Sequence, residues 1–166
     1  MASTYEPIAT TTLGSAASSI TFSSISSAYT DLRVVLVGKS STGDLTIAYR
    51  FNSDTGSNYS YTSLYGNGTS ALSNRGSNNS YAFPVSNSDL VSSQPQMLTI
   101  DVFSYAGSTN KTALATFSQD LNGSGSVYRT VNLWRSVSAI TSISLLVLSN
   151  DFAIGTTATL YGILKA

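Results

Sequence analysis

Two runs, QMLTIDVFSY at 96 to 105 and KTALATFSQD at 111 to 120, alternate in polarity around the Gly- and Asn-bearing connection SYAGSTNK. A period of two puts successive side chains on opposite faces, which suits a half-buried strand and no helix. In the first run Leu98, Ile100, Val102 and Ser104 share one face, with Met97, Thr99, Asp101 and Phe103 on the other. The first set is the predicted core face. With the connection between them, the two runs read as a β-hairpin.

The same signature recurs along the chain. DLRVVLVG (31 to 38), DLTIAYRFN (44 to 52), SVYRTVNLW (126 to 134), ITSISLLVLS (140 to 149) and ATLYGILKA (158 to 166) are rich in β-branched and aromatic residues. In the second of these, Leu45, Ile47 and Tyr49 oppose Thr46, Ala48 and Arg50. Weaker strands are expected at 4 to 12, 18 to 24 and 81 to 85, where Pro84 marks an edge or bulge. Gly and Asn punctuate the intervening segments, and no helical stripe is sustained over three turns. About ten strands without helices predict an all-β fold: an antiparallel two-sheet β-sandwich, jelly-roll-like. One domain spans 1–166, with 1–14 as an extended N-terminal arm and 53–95 as a long polar loop region, of the kind that binds a ligand or packs on a partner.

Composition narrows the chemistry. Charged residues are 10% of the 166-residue chain, against roughly 25% in an average globular protein, and eight basic residues balance eight acidic ones. So weak a charge suits protein–protein contact and gives little defence against self-association. It disfavours nucleic-acid binding, which needs a basic footprint. The chain has neither cysteine nor histidine, so it offers no disulfide, no thiol nucleophile and no imidazole base or ligand. The first 14 residues lack the charged-then-apolar pattern of a secretory leader, and the longest apolar run, ISLLVL at 143 to 148, is far too short to cross a bilayer. A chain soluble as made, with no membrane association, is expected.

The most site-like stretch is RFNSDTGSNYSYT, residues 50 to 62. As a calcium loop starting at Asn52 it puts Ser57 where an EF-hand needs glycine and Ser63 where it needs an acid, so no metal is assigned. As a glycan or partner contact it offers Asn52, Asp54, Asn58, Tyr59, Tyr61 and Tyr65, which combine directional hydrogen bonds with flat apolar faces. Tyrosines spaced two apart also describe one strand face turned to solvent or to a subunit. Asp54 and Asp101 are scattered among carboxylates that no motif pairs, and Glu6 is the only glutamate. A two-carboxylate hydrolase, a Ser–His triad and a phosphate loop all lack their signatures, so no catalytic residue and no cofactor are expected. Five N-x-S/T sequons, at Asn58, Asn67, Asn78, Asn110 and Asn122, follow from the abundance of Asn, Ser and Thr. Trp134 and Arg135 could stack on a ligand, but the stronger reading has Trp134 end a strand and fill the core.

The succession TYEPIATTTLGS, SSITFSSISSAYTDLRVVL, RFNSDTGSNYSYTSLYGNG, LWRSVSAITSISL and TATLYGILKA resembles, over nearly the full chain, a group of virion-associated structural proteins of tailed bacteriophages of marine and cyanobacterial type. The resemblance implies a small β-sandwich on the capsid exterior or on a tail or head fibre, made in the bacterial cytoplasm and released by lysis. It implies a capsid decoration (cement) protein bound to the major capsid protein or other virion proteins, assembled as a homo-oligomer, a trimer. A fibre module binding host surface glycans is the alternative.

Overall fold

A computed structural model describes residues 4–85 and 90–164. Residues 1–3 of the expected arm, 86–89 of the expected loop and the last two residues of ATLYGILKA lie outside them. Eleven strands follow in order: β1 (Tyr5–Thr12), β2 (Ser19–Phe22), β3 (Asp31–Gly38), β4 (Ile47–Phe51), β5 (Tyr59–Gly66), β6 (Ala71–Asn79), β7 (Gln96–Phe103), β8 (Lys111–Asp120), β9 (Gly125–Trp134), β10 (Ile143–Val147) and β11 (Thr157–Ile163). They form an eight-stranded sheet, β1-β11-β3-β7-β8-β9-β5-β6, and a three-stranded sheet, β2-β10-β4. Every pairing between named strands is antiparallel. The predicted all-β, antiparallel two-sheet fold is the fold observed, divided unequally between its sheets.

Alternation decides which face is covered. Leu32, Val34 and Leu36 of β3, Leu98, Ile100 and Val102 of β7, and Ala113, Ala115 and Phe117 of β8 point to the small sheet and are fully buried. Ile20 and Phe22, Ile143 and Leu145, and Ile47, Tyr49 and Phe51 meet them from the small sheet. Burying a side chain of this size contributes roughly 1.5–3 kcal/mol, and the core holds dozens. The expected face of β7 is correct except at Ser104, which is exposed because β7 ends at Phe103 and Ser104 turns to φ 48°. The β7–β8 hairpin is closed by Lys111, whose buried ammonium donates to the carbonyls of Gly107 (2.7 Å) and Thr109. Burial pushes its pKa down.

Three expectations are corrected. The segment 53–95 is not one long loop: its first half folds into the β5–β6 hairpin. Ser and Asn, poor strand formers by composition, are held there by cross-strand pairing, including a buried Ser63–Thr130 hydroxyl contact of 2.9 Å between β5 and β9. Most of the expected arm is instead the strand expected at 4 to 12: the edge strand β1, zipped to β11 from Tyr5 to Thr12 with a bulge between Pro7 and Ala9. The segment 81–85 is no strand. It makes a single bridge, Ala82 to Tyr49, while the Asn132 amide grips Phe83 through both its N–H (3.0 Å) and its C=O (2.8 Å), as a neighbouring strand would.

The small sheet covers only the middle of the large one. Neither β1 nor β6 has a fully buried residue.

One core group is poorly served. The Tyr49 hydroxyl is fully buried and has no hydrogen-bond partner among the described residues. Leaving such a group unpaired costs about 1–3 kcal/mol. Tyr49→Phe should therefore raise the unfolding free energy by about 1 kcal/mol and the melting midpoint by about 2–4 °C. Calorimetry showing a lower midpoint for the variant would contradict this.

Candidate functional site

The stretch from Arg50 to Thr62 lies where the chain leaves β4 of the small sheet for β5 of the large one. Asn52 and Ser53 both take left-handed conformations, φ 51° and 55°, which Asn tolerates better than most residues. This reverses the chain within a few residues.

Asn52, Asp54 and Asn58 are each engaged by the protein itself. Asn52 Oδ1 accepts from the N–H of Thr141 (2.8 Å) and of Ser142 (3.1 Å), and its Nδ2 donates to the Ala139 carbonyl at 2.7 Å. Asp54 Oδ1 accepts the Gly56 N–H at 2.8 Å. Its Oδ2 accepts both Asn58 Nδ2 (2.9 Å) and the Trp134 indole N–H (2.7 Å). Asn58 returns the connection to β9, because its carbonyl accepts the Arg135 N–H at 2.9 Å. Arg135 Nη2 donates to the Ser57 carbonyl and to Asn78 Oδ1, tying β6 to the same loop.

The tyrosines turn inward. Tyr59 is fully buried; its hydroxyl accepts the Phe51 N–H at 3.1 Å, and its ring stacks on Trp134 with centroids 6.3 Å apart. Burial pushes its phenol up to about 12. Phe51 completes the cluster, 5.6 Å from Trp134 and 6.4 Å from Tyr59. Tyr65 stacks on Tyr128 at 4.5 Å. Tyr61 packs edge-on against Phe83 and lies across Gly76, where an added Cβ would come within 2.6 Å of its ring. The six residues do not converge on a ligand. Asn52, Asp54, Asn58 and Tyr59 build a joint between the sheets, while Tyr61 and Tyr65 each border an open groove.

The groove at Tyr61, of about 600 Å³, opens on the large sheet and is bounded by Ser60, Tyr61 and Thr62 of β5, by Arg75, Gly76 and Ser77 of β6, by Val131, Asn132 and Leu133 of β9, and by Thr112. Sequence reasoning missed Arg75 and Ser77, because the segment holding them had no strand signal. Trp134 is buried as expected, and its indole N–H is aimed at Asp54. Among the described residues no three metal-ligating side chains gather.

Asp54 gives the joint a pH dependence. Burial works to raise its pKa, but the bonds from Trp134, Asn58 and the Gly56 N–H outweigh it and hold the carboxyl below its ordinary value of 3.8. A carboxyl depressed on folding contributes stability above its ordinary pKa, and that contribution is lost as pH falls through the folded-state value. Asp54→Ala should cost about 2 kcal/mol at neutral pH, and the gap to the wild type should close as pH falls below about 4. Denaturant titrations at neutral and acid pH giving a constant gap would contradict the role assigned to the carboxylate.

No protein-family model matches the chain, and no curated protein matches it.

Proposed function

We propose that the protein is a structural component of a tailed-phage virion, a decoration (cement) protein on the outer surface of the capsid. It would bind the major capsid protein or another shell protein by strand pairing and stabilise the shell. Neither nucleic acid, membrane, cofactor nor catalysis has a part in this reading.

One observation carries it: β6 is an open edge. It ends the eight-stranded sheet, and its far side pairs with no strand among the described residues. It is nine residues long, about 30 Å of backbone, with no proline and no fully buried residue. Proteins usually guard such an edge, since its free N–H and C=O groups template another chain. The opposite edge, β1, carries Pro7 and a bulge. β6 has neither proline nor a charge other than Arg75, and its backbone can receive an extended segment of a partner, the strand-addition mode of recognition. Arg75, mid-strand and exposed, would repel a second β6 laid antiparallel in register and favours a partner strand with an acid opposite it. Many copies on one shell would turn modest contacts into a tight coat.

A second reading, a tail- or head-fibre module that binds host surface glycans, is favoured by the groove beside Tyr61. It combines an aromatic ring, an arginine and hydroxyls. Binding to a glycan array, lost in Tyr61→Ala, would favour this reading over the cement role.

For the cement role, particles lacking the protein should lose their DNA at lower temperature and higher salt dilution than complete ones. Adding back wild-type protein should restore them. The double substitution Ser73→Lys, Ser77→Lys, at exposed positions of β6, should reduce shell occupancy more than about tenfold without unfolding the chain. Equal survival of bare and complete particles would sink the cement role.

A further inference from the structure

The outer face of the large sheet, turned away from the core, is unusually apolar for a surface in water. Antiparallel sheets with one solvated face commonly alternate apolar-in, polar-out. Here Val37, Leu64, Met97, Phe103, Val127 and Val131 all stand on the outer face, each 42–62% exposed. The register sets them in rows across the strands. Val37 lies beside Met97, Met97 beside Ser118 and Ser118 beside Val127. One row nearer the sheet centre lie Val35, Thr99, Thr116, Arg129 and Leu64. The next row holds Arg33, Asp101, Leu114, Val131 and Thr62.

Charge on this face is nearly self-cancelling. Arg33 and Asp101 form a two-pronged pair at 2.5 and 3.0 Å, while Arg129 and Arg75, the latter opposite Thr62 on β6, are offset by Asp31 and Asp120 on the same face at the ends of β3 and β8. The face therefore offers no strong field to attract an oppositely charged partner, and none to repel a copy of itself. Its extent also fits. Six strands, β11 to β5, at about 4.8 Å spacing and seven residues of about 3.3 Å rise give about 700 Å², close to the ~800 Å² per partner of a stable interface. A cleft of about 770 Å³, lined by Met97, Val127 and the Gln94–Pro95 rim, gives the face relief for an inserted side chain.

We infer that this face is covered by the same face of a second copy of the chain, two large sheets packing across a two-fold axis. Sheets stacked this way lie about 10 Å apart with strands about 30° askew, and β-branched and threonine side chains interdigitate well at that distance. A two-fold contact uses one patch twice, which a neutral, apolar patch permits. The result is a dimer in place of the trimer that the family resemblance implies. The inference does not depend on the virion reading, since it concerns the isolated protein.

Sedimentation equilibrium of the purified full chain across the micromolar range tests it. The wild type should be a dimer that dissociates on dilution. Val131→Glu and, separately, Met97→Glu should each weaken the dimer more than about tenfold, with melting curves confirming that each variant is folded. Val137→Glu, at an exposed apolar position of the β9–β10 connection and outside the sheet, should leave the dimer intact. A monomer throughout, a trimer, a dimer indifferent to both Val131→Glu and Met97→Glu, or a dimer abolished by Val137→Glu would each overturn the inference.

Discussion

The bond from the Trp134 indole to Asp54 holds together the place where the two sheets exchange chain. On this side of the molecule the backbone changes sheets twice, from β4 to β5 and from β9 to β10. Asp54 belongs to the first crossing and Trp134 ends the strand that starts the second. Asn52 then binds the backbone at 139, 141 and 142, which leads into β10. The Tyr59 hydroxyl meets the backbone of Phe51. Each partner fixes the other: the carboxylate satisfies a buried indole N–H, and the aromatic stack shields the bond from water. A charge-assisted hydrogen bond in such a setting is worth more than a neutral one at the surface.

With that joint fixed, three strands cover the centre of eight, and the remainder of the large sheet must face outward. Its margins and its far face become the available surfaces, and they differ. β1 is guarded by proline and a bulge, β6 is open along its length, and the broad outer face is apolar and nearly neutral. A face-paired dimer would present two β6 edges. Such an object could bridge two shell subunits with no single strong contact, as the avidity of linked weak sites allows.

The strands with clean alternation were legible from the residues alone. β3 and β8 begin and end where their runs do, and the core face of β7 follows from period two. β5 and β6 were not. Asn, Ser and Gly dominate β6, and only its pairing with β5 makes it a strand, a tertiary override of weak propensity. The candidate site was legible as a cluster but not as a function. Asn, Asp and Tyr at close spacing look the same whether they await a ligand or bind one another. The deciding partners, Trp134, Thr141 and Ser142, lie some eighty to ninety residues away in sequence. The groove-lining Arg75 gave no signal at all, because its segment read as loop.

Cryo-microscopy of complete particles tests the virion assignment most directly. Density for this chain is expected on the outer surface of the capsid, with a strand of a shell protein continuing the large sheet beyond β6. Density confined to fibre tips, or a capsid-bound chain whose β6 edge faces solvent, would contradict it.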